Sequence, residues 1–281
     1  MINMIKADLY RITKGIGIYI AIIAMLLTTT ISVCMTEAGY IGNTQVSISE
    51  EDMETISEAS ESGAVEVIKN FKTDRDAQQK KGFVREILGA NINLYYMMII
   101  LVFVILMADF SNKTVKNTIT SAYSKKKYFI SKISMIYISA IIFITLANLF
   151  AYTLNFIING KEYTEPIKNT LAVTIYQLPM LLGIVSLLIF FGFLFKRSAL
   201  FNAAAISFIM LFQIIMATLS SLTESEALSE FMSKYELQSA LKMLSILPDT
   251  KYILTCASIG FVEIIVFSVL GYAVFKKSEI K

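Results

Sequence analysis

The sequence predicts an all-α membrane protein built on six transmembrane helices. Three observations predict it. The 281 residues are 56% hydrophobic and only 17% charged, with a mean hydropathy of +0.64, whereas soluble domains run at about 45–50% apolar and about 25% charged. The apolar residues gather into six almost uncharged blocks of roughly 18–27 residues, and a bilayer core needs about 20 per helix. The connections between blocks differ systematically in charge. Soluble enzymes, nucleic-acid binders and disordered chains are excluded on these grounds. A transmembrane barrel is excluded because its strands would alternate apolar and polar residues; helices are then the remaining way to satisfy backbone groups in lipid.

Residues 1–14 read as an amphipathic helix. Ile2, Ile5, Leu9 and Ile12 fall on one face while Lys6 and Arg11 face elsewhere, which suits a helix lying in the headgroup plane. The first block, about 16–35, is too long for a signal-peptide core, and no small-residue cleavage site follows it. It is the first crossing. The others run about 93–110, 133–158, 171–195, 199–222 and 252–275, and the whole chain, 1–281, makes one transmembrane domain. The long polar segment 36–92 carries a helix start at Ser49, Glu50, Glu51 and Asp52. Met53, Ile56, Ala59, Ala64, Val67, Ile68 and Phe71 then keep a rough helical period, so one or two helices outside the membrane are predicted. Residues 224–251 are too short and polar for two more crossings and too apolar for a free loop. Leu228, Phe231, Met232, Tyr235, Leu237, Leu241 and Leu244 predict a short helical pair dipping into the outer leaflet.

The positive-inside rule orients the bundle. Residues 1–15, 111–132, 196–197 and 276–281 hold 14 basic and 2 acidic residues, while 36–92, 159–170 and 223–251 hold 11 basic and 18 acidic ones. Both termini are predicted in the cytoplasm, in a multi-pass protein of the cell membrane. There is no histidine, and the two cysteines, Cys34 and Cys256, read as unpaired apolar residues. No metal site and no catalytic constellation is predicted. No G-x-x-x-x-G-K-[ST] occurs, so the chain cannot cradle nucleotide phosphates by that route.

The most informative stretch joins the second and third crossings. Asp109 ends one block; Thr114-Val115-Lys116-Asn117-Thr118-Ile119 follows, then Ser124-Lys125, then Lys132 before the next block. Val115, Ile119, Ala122 and Tyr123 line one helical face, and Lys113, Lys116 and Asn117 face away. Topology and attraction to anionic lipid account for the lysines, but not for the apolar stripe.

This stretch, taken with the six crossings, the amphipathic start and the basic tail, resembles the type-two exporter family of ABC transporter permeases. The resemblance covers the whole chain. It implies that residues 114–119, with Ala122 and Tyr123, form a cytoplasmic coupling helix that docks on a separate ABC ATPase. Two copies of that ATPase would drive two permease copies, a homodimer. This chain would then be a non-enzymatic subunit binding no cofactor, with ATP and magnesium used by the partner. The implied cargo is an amphipathic peptide, such as a bacteriocin or membrane-active toxin, moved outward. Two positions depart from the family pattern: Lys113 stands where Gly is frequent, and Lys125 where Arg is frequent.

Glu263 is the acid placed deepest in a crossing, where a bare carboxylate costs roughly 2.5–3.5 kcal/mol on insertion scales. With Gln177, Asn148, Asn202 and Gln213 it is a candidate for the translocation path. The uncharged members, like Asn155, also read as glue between helices. Pro179 predicts a bend, with Gln177 placed to satisfy the freed carbonyl. Two competing classes stay open: a non-pumping immunity or sensor protein that binds extracellular peptide, and an ion-coupled secondary transporter using Glu263.

Overall fold

The computed structural model describes residues 2–37, 94–120, 124–161, 164–222, 234–245 and 248–278. These residues are overwhelmingly helical and contain no strand. The elements are α1 (Ile2–Lys14), α2 (Ile16–Glu37), α3 (Leu94–Val102), a π-helical turn (Phe103–Met107), α4 (Ala108–Ser111), α5 (Thr114–Thr120), α6 (Lys125–Asn159), α7 (Ile167–Phe195), α8 (Ser198–Leu222), α9 (Leu237–Ser245) and α10 (Thr250–Lys277). The helices predicted from Ser49 onward, and Leu228, Phe231 and Met232, lie outside the described residues, as do Ala122 and Tyr123.

Four helices are long and apolar enough to cross a membrane: Ile16–Cys34, Lys125–Asn159, Ile167–Phe195 and Thr250–Lys277. They mark a membrane-embedded protein. Two shorter apolar helices, Tyr96–Ser111 and Ser198–Phe212, stand where the second and fifth crossings are expected. One face of α2 carries Tyr19, Ile20, Ile23, Leu27 and Ile31 exposed, and α10 does the same with Leu254, Phe261, Ile265 and Val269. Apolar surface this continuous is untenable in water and ordinary against lipid.

Helix α7 is the hub. It packs against α3, α6, α8, α9 and α10, and α10 is its most extensive partner. Glycine makes that approach possible. A Cβ on Gly260 would run into the backbone carbonyl of Pro179, and one on Gly183 would meet the Glu263 carboxylate. Small residues at such crossings let transmembrane backbones touch. Polar side chains then tie the bundle: Asn148 donates to Thr174 Oγ1 (3.0 Å), and the Tyr137 hydroxyl meets Ser186 Oγ (2.7 Å) and Ser268 Oγ (3.2 Å). Cys34 and Cys256 are both free thiols.

Helix α6 has 35 residues, a rod of about 52 Å at 1.5 Å per residue. That exceeds a bilayer core of about 30 Å, which leaves length for tilt or for turns outside the apolar slab. Ser124 caps it by accepting from the Lys127 N–H (3.3 Å). The site described next is built on the first turns of this helix.

Candidate functional site

Four charged side chains from three parts of the chain converge beside α5. Lys132 Nζ lies 2.6 Å from Asp8 Oδ1 and 2.6 Å from Asp109 Oδ2. Arg11 pairs with the other Asp109 oxygen and sits 3.5 Å from Asp8 Oδ1. The Tyr128 hydroxyl donates to Asp109 Oδ2 (2.8 Å), and the Lys132 ammonium stands 5.6 Å from the Tyr128 ring centroid. Asp109 and Lys132 are each only 2% exposed. Two positive and two negative charges cancel, which is the condition for holding ions out of water.

Each member is placed by a local feature. Asp8 shares the inward face of α1 with Ile5 and Ile12, while Leu9 is exposed. The expected apolar face of α1 is therefore rotated. Its centre is a carboxylate, because Lys132 lies opposite and an unpaired buried ammonium would be far costlier. Arg11 also donates to the Ile105 carbonyl (3.2 Å), inside the π-helical turn. A π turn shifts the backbone ladder and commonly sits at functional positions. Gly17 of α2 and Gly192 of α7 press on this turn: a Cβ on either would come within 2.8 Å of Val104 or 2.7 Å of Leu106. Aromatic rings wall the cluster from the α7 and α10 side, with Phe129–Phe193 and Phe193–Phe275 centroids both 4.8 Å apart and Tyr128–Phe275 5.7 Å.

Helix α5 grows from this cluster. Thr114 Oγ1 donates to the Asp109 carbonyl (3.2 Å). Val115 is 2% exposed, and Ile119 packs on the core. Lys116 and Asn117 are exposed on the opposite side, as their spacing predicts. Any partner docking on α5 would therefore meet Lys116 and Asn117 rather than Val115. Lys113 joins α4 to α5 with φ of 55°, in the left-handed region where a Cβ is disfavoured and glycine is the natural occupant. Lys125 donates to the carbonyls of Lys276 (3.1 Å) and Ser278 (2.8 Å), capping the end of α10. It thereby fastens the start of α6 to the end of α10. Lys196, near Lys125, is held below the ordinary lysine range by burial first and by the Lys125 charge second.

The other sequence-predicted residues are not gathered at this cluster. Gln177 donates to the Leu241 carbonyl of α9 (2.9 Å). Its amide bridges two helices, where the sequence predicted that it would answer the backbone carbonyl freed by Pro179. Asn148 bridges α6 and α7, and Asn155 donates to Thr164 (3.1 Å). Asn202 is half-buried on α8, and the Gln213 side chain lies outside the described residues. Glu263 sits midway along α10 in a separate cavity of about 240 Å³.

Sequence reasoning missed the four-charge cluster. Asp8, Arg11 and Lys132 read as part of the charge balance of the loops, and Asp109 as the end of a block. The available signal was the exceptions: Asp8 is the only acid in an otherwise basic amino-terminal stretch, and Asp109 closes an apolar block that needs no acid. Among the described residues no group of three or more His, Cys, Asp or Glu side chains could hold a metal ion. No family model and no curated protein matches the chain.

Proposed function

We propose that this chain is the membrane-spanning half of an ATP-driven exporter. Two copies work with two cytoplasmic ABC ATPase subunits, and six crossings per copy put α1, α5 and both termini on the cytoplasmic side. The cargo class is an amphipathic peptide moved outward. The observation that carries the reading is the seating of α5: a short helix held to the bundle by Val115, with Lys116 and Asn117 outward and its root tied through Asp109 to α1 and α6. A loop that only set topology would need its lysines and nothing more. A lever needs a rigid root and an accessible edge, and α5 has both. The chain carries no P-loop, so ATP and magnesium belong to the partner, and the bundle answers by moving.

The test is co-expression with a candidate P-loop ATPase encoded beside it. Lys116→Glu with Asn117→Asp reverses the charge of the outward edge and leaves the Val115 seat intact. Loss of co-purification and of peptide-stimulated ATP hydrolysis is expected. Unchanged partner binding and stimulation would remove the coupling assignment.

A further inference from the structure

Away from the charge cluster, a partly open cavity of about 240 Å³ lies between α7, α8, α10 and the segment leading into α9. That volume exceeds the ~150 Å³ that accepts benzene in an engineered apolar core, and it falls just short of the ~300 Å³ at which drug-sized sites begin. Its walls are mainly apolar, with Phe208, Phe212, Phe267 and Tyr235 contributing four rings. Phe208 and Phe212 are stacked with centroids 5.3 Å apart. Among the described residues, the polar side chains in the lining are those of Glu263, Glu236 and Tyr235. Ser239 donates to Glu236 (3.1 Å), whereas among the described residues nothing donates to Glu263. Among the described residues, no lysine or arginine lines the cavity.

A carboxylate inside an apolar, ring-lined cavity is costly unless something completes it. Aromatic faces attract cations and do nothing for anions. Gly183 sharpens the case: its missing Cβ leaves the space that the Glu263 carboxylate occupies, so the acid is accommodated by the packing of α7. We infer that this cavity binds an amphipathic cation: an ammonium group seated between Glu263 and the rings, on an aromatic or short alkyl body. The site would take the whole of a fragment this size, or one cationic side chain of a larger cargo. It stands on the cavity alone and does not depend on an ATPase.

The experiment uses the full chain in nanodiscs, without any partner subunit. Isothermal titration compares benzyltrimethylammonium, its neutral carbon isostere neopentylbenzene, and the anion benzenesulfonate, each corrected for partition into empty nanodiscs. The cation is expected to bind at least tenfold more tightly than either of the others. Glu263→Gln, which keeps the side-chain shape, is expected to erase that preference while leaving the neutral isostere unaffected. Equal affinities for the three head groups, or no saturable binding of the cation, would overturn the inference. So would a cation preference that survives Glu263→Gln. Because the comparison of ligands is made on the unaltered chain, it holds even if the variant does not fold. A negative result leaves the α5 coupling test untouched, and failure of that test leaves this one untouched.

Discussion

Lys132→Met removes one charge from the buried cluster and keeps the length of the side chain. The lysine is 2% exposed and lies 2.6 Å from carboxylate oxygens of both Asp8 and Asp109. Its loss leaves two buried acids sharing a single guanidinium. Breaking a buried pair from one side costs about 3–5 kcal/mol, because the remaining charge stays out of water uncompensated. At 1.4 kcal/mol per decade, that is roughly two to four decades in the unfolding constant. The assay is unfolding of the purified chain in mixed micelles titrated with SDS, read by circular dichroism. The decisive comparison is the double variant Lys132→Met with Asp109→Asn, which restores neutrality. The two acids then become one, matched by Arg11, and the double variant should be more stable than Lys132→Met alone. If Lys132→Met costs less than about 1 kcal/mol, the value of an exposed pair, or if the second change simply adds to the first, the cluster is solvated and the reasoning fails.

Lys113→Gly should stabilise the chain by about 0.5–1 kcal/mol, since relief of left-handed strain of about 1–2 kcal/mol exceeds the entropy cost of glycine; thermal unfolding of the purified chain reads it, and a lower midpoint contradicts the φ of 55°. Gly260→Ala should cost about 1–3 kcal/mol, because the added methyl meets the Pro179 backbone, which cannot turn aside. Gly183→Ala should cost less in the same unfolding assay, because there the obstacle is the end of the Glu263 side chain; equal costs would mean that α7 and α10 are not in backbone contact. Lys125→Met should leave the two carbonyls it caps at the end of α10 without that donor and raise amide exchange in the last turn of α10, with little change in α7.

Four of the six expected crossings stand as helices long and apolar enough for a bilayer, and these were legible because a bilayer reads local composition: a long uncharged block needs no knowledge of its neighbours. The α5 face was legible for the same reason, since Val115 and Ile119 are four residues apart on one short helix. The cluster was not legible, because Asp8 and Lys132 are 124 positions apart and loop charges are normally counted as solvated. Lys113 shows an intermediate case. The resemblance implied a glycine at this position, while the reason, a positive φ between α4 and α5, is a property of the backbone. Gln177 adds a tie that local reasoning could not show: its amide reaches the Leu241 carbonyl of α9, 64 positions away.

The cluster is poorly explained by stability alone. Asp8 Oδ2 is buried with no described partner, and an open buried acceptor costs about 1–3 kcal/mol. Apolar residues of similar volume often serve stability equally well or better. What ions provide and apolar residues do not is a directional tie among elements that must move together. Asp109 holds the root of α5 through Thr114, Lys132 holds α6, and Asp8 and Arg11 hold α1 and the π turn. Lys125, at the start of α6, holds the last turn of α10. On the exporter reading, a push on Lys116 and Asn117 reaches α10 through rigid connections, and α10 is the helix that carries Glu263 into the cavity. The prediction separates this route from a merely structural cluster. In the double variant Lys132→Met with Asp109→Asn, ATPase binding at Lys116 and Asn117 should persist, while peptide stimulation of ATP hydrolysis should fall at least tenfold. Full stimulation in that neutral variant would show that the tie carries no signal.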